Sequence, residues 1–120
     1  MRIFKNKSFH QFTRKEGIAD NELKEVVKQL ENGQYYADLG GFVYKMKLSA
    51  NKGKSGAYRA IVIFKNEFRT FFAYGFPKSK RDNIEEDELS GFKKQAKERL
   101  ALTEEQIEEW LKKRSLIEVK

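Results

Sequence analysis

The apolar period of this chain changes once, near its middle, and that change limits the class of fold open to it. Leu23, Val26, Val27 and Leu30 fall at i, i+3, i+4 and i+7, the stripe of an amphipathic helix that ends before Gly33. From Phe42 the period is two: Phe42, Tyr44, Met46 and Leu48 alternate with Val43, Lys45, Lys47 and Ser49, as on a strand with one face against a core. The turn-rich Asn51-Lys52-Gly53-Lys54-Ser55-Gly56 leads into a second run, Tyr58 to Lys65, and Asn66-Glu67 joins that run to a third, Phe68 to Phe76. Three such runs predict an antiparallel meander. Pro77, the only proline, ends it because it has no N–H to continue a ladder.

Helical signals flank the meander. Upstream, Ser8-Phe9-His10-Gln11 has the spacing of a capping box, with Phe9 and Phe12 facing inward and Gly17 closing a short helix. Asp20 is the expected cap of the second helix, so the two form a helical hairpin. Downstream, the acidic turn Glu85-Glu86-Asp87-Glu88 suits a helix N-terminus, and Leu89, Phe92, Ala96 and Leu100 mark the helix it opens. Thr103 with Gln106 starts another, with Ile107, Trp110 and Leu111 as its apolar stripe and Lys112, Lys113 and Arg114 in its last turn. Leu116-Ile117-Glu118-Val119 has strand composition and is a candidate partner for the N-terminal Arg2 to Phe4 run. The expectation is a single α+β domain over residues 1–120: an N-terminal helical hairpin packed on a small antiparallel sheet, followed by C-terminal helices.

Charge is segregated along the chain. Between Gly41 and Arg81 ten Lys and Arg residues face one acid, Glu67, so that segment carries a net +9 of the chain's +7, and the remainder is slightly acidic. The same segment holds Phe42, Tyr44, Tyr58, Phe64, Phe68, Phe71, Phe72, Tyr74 and Phe76. Clustered cations interleaved with aromatics suit a polyanion whose bases can stack; a solvated lysine face on a sheet is the plainer alternative. Lys93, Lys94, Lys97 and Arg99 beyond it are open to two readings, an extension of the polyanion footprint across a helix or, more plainly, a solvated helix face.

Several chemistries fall away. The chain has no cysteine, which removes disulfides and thiolate catalysis. No apolar run approaches a membrane span, and Met1-Arg2-Ile3-Phe4-Lys5 lacks the apolar core of a signal peptide, so a cytoplasmic protein without membrane partners is expected. With His10 as the sole histidine, no pair of histidines can share acid and base roles. The carboxylates lie on predicted helix faces rather than at ligand spacing, so neither a metal nor another cofactor is expected. Gly53-Lys54-Ser55 resembles part of a phosphate-binding loop, yet Leu48 stands where that loop has its first glycine.

The motifs that remain carry a resemblance. Tyr44-Lys45-Met46-Lys47-Leu48, Ser55-Gly56-Ala57-Tyr58-Arg59 and Tyr74-Gly75-Phe76-Pro77-Lys78-Ser79-Lys80-Arg81 resemble the RelE/HigB superfamily of bacterial toxins. Ala37-Asp38-Leu39-Gly40-Gly41, Gly53-Lys54-Ser55-Gly56 and the run Arg69 to Phe76 are similar to its HigB-like branch. The resemblance implies a compact microbial-ribonuclease-type α+β fold and a toxin that cuts messenger RNA in the ribosomal decoding site. It implies as partners the ribosome, its message and a cognate antitoxin, in this branch usually with a helix-turn-helix domain, the pair binding operator DNA. Its catalytic cations map onto Lys45, Lys47, Arg59 and the Lys78/Lys80 cluster. Where RelE has an arginine and then a tyrosine after the last central strand, this chain has Ser79 and Glu85, leaving Lys80, Arg81 or Tyr74 as substitutes. Relatives of the ParE type share the fold and inhibit DNA gyrase without catalysis; that activity, or RNA binding without cleavage, is the alternative.

Residue chemistry fits the first reading. Metal-free RNA cleavage needs a base for the 2′-OH, stabilisation of a pentacovalent dianion, and an acid for the leaving 5′ oxygen. Arg59 suits the middle task through bidentate contacts. Clustered cations favour a neutral amine, which leaves Lys45, Lys47 or Lys54 open as base and Lys78 or Lys80 as acid. Lys52 and Lys54 are candidates for gripping RNA phosphates, as Arg81 is, and Tyr74 for stacking on a base, whereas Tyr58 is expected to pack in the core. The apolar stripes of the second and last helices are candidate landing surfaces for the antitoxin.

Overall fold

The computed structural model describes residues 1–50 and 56–120, so most of the basic turn, with Lys52 and Lys54, lies outside the described residues. The elements run β1 (Arg2–Asn6), α1 (Lys7–Glu16), α2 (Asp20–Glu31), β2 (Ala37–Gly40), β3 (Val43–Leu48), β4 (Tyr58–Lys65), β5 (Arg69–Pro77), α3 (Glu86–Leu100), α4 (Glu104–Lys112) and β6 (Leu116–Val119). One sheet holds all six strands in the order β2-β3-β4-β5-β1-β6. The expected meander is β3 to β5, with Lys47 opposite Arg59 and Arg59 opposite Phe76. The expected terminal pairing also forms, antiparallel, with Ile3 opposite Val119 and Phe4 opposite Glu118. Two features have no counterpart in the sequence reading: the short strand β2, and the parallel pairing of β1 with β5.

Both faces of the sheet are covered. On one, Phe9 of α1 and Leu23, Val26, Val27 and Leu30 of α2 pack on Met46, Leu48, Tyr58, Ala60, Val62 and Phe72. On the other, Ala96 of α3 and Ile107 of α4 pack on Val43, Ile61, Ile63, Phe71 and Phe76. Each large aliphatic or aromatic side chain so buried contributes about 1.5–3 kcal/mol. Two-sided burial explains why β4 is buried from Tyr58 to Phe64 without alternation. It also means that Leu23, Val26, Val27, Leu30 and Ile107 are core, which removes the stripe of α2 as a landing surface and leaves only the half-buried Trp110 and Leu111 of α4.

The helix starts differ from the expected caps for reasons of tertiary connection. Strand β1 runs straight into α1, so Asn6 already has the extended backbone a cap needs; its Oδ1 accepts from Phe9 N at 2.8 Å and its Nδ2 donates to Ala73 O at 2.7 Å. Ser8 is therefore inside the first turn. Asp20 is the first residue of α2 rather than its cap, and its carboxylate takes an ion pair at 3.1 Å from Lys5, which is buried under that helix. A buried ammonium needs such a partner more than a helix needs a cap. The Thr103–Gln106 capping box forms as expected. Phe42 is not in the core: it sits in the β2–β3 turn with φ +67° and an exposed ring.

Ion pairs fasten the C-terminal elements to the sheet. Arg2 donates to Glu118 at 2.8 and 2.9 Å, to Glu104 at 2.8 Å and to Glu108 at 3.1 Å. Arg69, buried, donates to the carbonyls of Leu102 at 2.6 Å and Arg99 at 3.4 Å and to Glu104 at 3.0 Å, closing the end of α3. The bond from Arg2 holds the Glu118 carboxyl below its ordinary range, and Arg69, followed by Arg2, does the same for Glu104.

Two outcomes follow for stability. A Cβ on Gly75 would overlap the Phe12 ring, which packs edge-on against Tyr58 at 5.8 Å; Gly75→Ala should cost about 1–3 kcal/mol in denaturant melts. Because the folded values of Glu104 and Glu118 are depressed, their contribution is complete above the ordinary glutamate value of about 4.3 and is lost as pH falls through the folded values. Thermal stability should therefore fall on acidification below about pH 4.5, and less steeply in Arg2→Gln; equal slopes would remove these pairs from the acid response.

Candidate functional site

Strand alternation puts Lys45, Lys47 and Arg59 on the sheet face that α3 and α4 cover, in line with Val43, Ile61 and Ile63 but toward the other end of the strands. Lys47 and Arg59 are direct cross-strand neighbours, a like-charge placement that costs energy unless something offsets it. All three cations surround one ring. Lys45 Nζ and Lys47 Nζ each lie 5.1 Å from the centroid of Tyr36, and the Arg59 guanidinium carbon lies 4.8 Å from it. Tyr36 stands immediately before β2, whose Ala37 pairs with Lys45, and is 50% exposed.

Two of these cations are buried. Arg59 is 4% exposed; its Nη1 donates to Gly56 O at 2.7 Å and to Tyr58 O at 3.1 Å, which orients the guanidinium. Lys45 is 8% exposed, with Nζ donating to Asn83 Oδ1 at 3.3 Å, whereas Lys47 is exposed. Among the described residues none of the three has a carboxylate ion pair. Buried charge is tolerated here by carbonyl acceptors and the tyrosine face, each a weaker compensation than a counter-ion. The cluster is thus a concentrated positive field without a paired carboxylate among the described residues.

Tyr74 and Arg81 form a wall beside it. Tyr74 stacks on Phe92 at 5.9 Å and lies 5.5 Å from Phe76, and its hydroxyl accepts from Arg81 Nη1 at 3.2 Å. Arg81 also bonds Glu88 at 2.6 and 3.1 Å and the Asn83 carbonyl at 2.9 Å. The bond to Arg81 pulls the Glu88 carboxyl below its ordinary range, and the Arg81 charge is compensated by it. Asn83 consequently links this pair to Lys45.

Lys78 and Lys80 are placed elsewhere. They are exposed in the turn after β5 and line a groove of about 600 Å³ with Lys15, Tyr58 and Pro77, on the α1 side. Tyr58 is buried there, as expected, donating its hydroxyl to Glu16 at 3.0 Å, a bond that raises its pKa. His10 lies in α1, where burial and then the charges of Lys5 and Arg14 push its pKa down. No group of three or more His, Asp or Glu residues among those described is arranged to hold a metal, and no helix among them is long and apolar enough to cross a membrane.

Tyr36 is the site residue that sequence reasoning does not single out. It belongs to neither periodic run, and its only signal is the Tyr35-Tyr36 pair ahead of a four-residue edge strand. Burial of Arg59 is likewise invisible in a motif of exposed-type residues.

A family model described as the RelE toxin of the RelE / RelB toxin-antitoxin system matches residues 1–119. No curated protein and no solved structure matches the chain.

An uncompensated cationic cluster should bind single-stranded polyanion with a strong salt dependence. Lys47→Ala, at the exposed member, should leave melting unchanged and lower the slope of log affinity against log salt by about 0.7, measured by anisotropy of a labelled RNA oligonucleotide. An unaltered slope would take Lys47 out of the phosphate contacts.

Proposed function

The chain belongs to the RelE toxin family, and from that premise we propose that it is a ribosome-dependent endoribonuclease that cuts messenger RNA without a metal ion. The observation that carries this reading is the group Lys45, Lys47 and Arg59 around Tyr36, with no carboxylate among the described residues to neutralise it. A non-catalytic inhibitor of a protein target has no use for such a phosphate-sized positive field.

The reaction is a transesterification. The ribose 2′ oxygen attacks the adjacent phosphorus while its proton passes to a base, the phosphorus–5′ oxygen bond breaks, and the leaving oxygen takes a proton from an acid. The products are a 2′,3′-cyclic phosphate and a free 5′-hydroxyl. Arg59, already oriented by two carbonyls, has the rest of its guanidinium for the non-bridging oxygens, which gain charge in the transition state. Lys45, held by Asn83, and exposed Lys47 flank that position as further anion stabilisers and as the candidates for base. The exposed face of Tyr36 is a stacking platform for a base of the message. Lys78 and Lys80 border a separate groove, so their part is to hold RNA phosphates unless the bound message bends around β5. Lys52 and Lys54 belong to the same RNA-gripping set. As its partner the toxin has a cognate antitoxin with a helix-turn-helix domain. The pair binds operator DNA and leaves at least part of the Lys45, Lys47 and Arg59 region open.

Induction in cells should create new 5′-hydroxyl ends within coding frames, read by sequencing of message termini, and cleavage on purified ribosomes should survive chelator so long as the ribosomes stay intact. Arg59→Lys, which keeps charge at a buried position where alanine would leave a void, should lower cleavage by about 10²–10³ with the fold retained. No new ends on induction, together with inhibited gyrase supercoiling, would replace the nuclease by a gyrase inhibitor. Tyr36→Phe should cleave like the parent, and Tyr36→Ala should not.

A further inference from the structure

The end of the sheet away from Lys47 and Arg59 carries a feature that RNA cleavage leaves unused. Phe42 and Phe68, in the β2–β3 and β4–β5 turns, are 49% and 39% exposed. Lys65 Nζ stands between their rings, 5.7 Å from one centroid and 5.6 Å from the other. Beside them a groove of about 470 Å³ runs to the end of α3, lined by Gly41, Phe42 and Leu100 and by three lysines, Lys65, Lys93 and Lys97. Among the described residues none of the three lysines has an ion pair, and no acid lines the groove.

Backbone strain marks the same place. Gly40, Gly41 and Phe42 have φ of +85°, +60° and +67°. The glycines adopt this region freely, but a bulky aromatic does so only with strain, because its Cβ crowds the following carbonyl oxygen. A side chain normally repays such strain by burial, and Phe42 is half exposed within this chain.

We propose that this groove is the docking site for an acidic amphipathic segment of the antitoxin, whose apolar side chains cover Phe42 and Leu100 while its carboxylates meet Lys65, Lys93 and Lys97. The proposal rests on the toxin reading given above and adds where the partner seats. Charge complementarity sets the sign of the segment, and the apolar lining sets its amphipathic character. RNA is the less suitable occupant, since Leu100 and Ala101 add aliphatic surface to the lining, which an apolar side chain covers better than a base does. Phe42 stands just before β3, and Lys45 and Lys47 lie three and five residues further on, about 10 and 16 Å at strand rise, so a segment seated here leaves Lys47 and Arg59 uncovered. Inhibition then works by blocking the fit of the complex on the ribosome.

The test uses the full chain with the protein encoded by the reading frame adjacent to its gene, by calorimetric titration, and compares Phe42→Asn and Lys93→Glu/Lys97→Glu with the parent. Phe42→Asn relieves the strain, so it should melt at or above the parent temperature yet bind the partner at least about tenfold more weakly. The double charge reversal should weaken binding about 30-fold or more. Both variants should cleave message on ribosomes at the parental rate in the absence of partner. Parental affinity in both variants overturns the groove while the toxin reading stands. A parent chain that neither binds the adjacent protein nor arrests growth overturns both. Lost RNA binding with intact partner binding overturns the proposal in favour of a polyanion site.

Discussion

Burial of the sheet on both faces is the constraint from which the rest of the molecule follows. Strand β4 contributes side chains to two cores at once, Ala60 and Val62 to one and Ile61 and Ile63 to the other. A strand in that position has no place for charge except where the helices stop. Lys47 and Arg59 stand at that limit, and the antiparallel register makes them neighbours. Their proximity is thus a product of the register of β3 against β4.

The fold also sorts the cations that the sequence gathers in one segment. Arg69 is consumed by the carbonyls that end α3 and by Glu104, and Arg81 by Glu88. Lys65 is drawn to the aromatic turns, and Lys78 and Lys80 face the groove by α1. Of the segment's described cations, Lys45, Lys47 and Arg59 are the ones gathered around a single ring. A net charge of segments therefore overstates the field at some positions and understates it at the cluster, where two of three charges are desolvated.

Much of this was legible in the residues. The stripe Leu23, Val26, Val27 and Leu30, the three strand runs, the Thr103–Gln106 box and the β1–β6 pairing all arise from local pattern or from strand composition, which sequence reports directly. The features that escaped depend on distant partners. Asn6 displaced Ser8 as a cap because a strand precedes the helix without a linker. Asp20 turned to Lys5, a residue that only the sheet brings near. Phe42 continues the alternation in sequence yet lies in the turn, because two glycines with positive φ bend the chain before it reaches the ladder. Tyr36 acquires its place from β2, whose four residues are too few to show a period.

The cluster combines a fixed part with a movable part, and this bears on the proposed chemistry. Arg59 is buried and pinned by two carbonyls, so its guanidinium is arranged before any anion arrives and does not have to be ordered by it. Lys47 is exposed, with four rotatable bonds, so it can follow a phosphate from ground state to transition state. Tyr36 contacts both and is itself half exposed, so a base settling on its outer face would press the ring toward the cations and order Lys47 at the same time. Affinity for the message and organisation of the cluster are then coupled through one side chain. On the proposed mechanism a message whose base stacks poorly on Tyr36 would lose rate as well as binding, which would give the site a route to sequence preference without any hydrogen bond to a base edge.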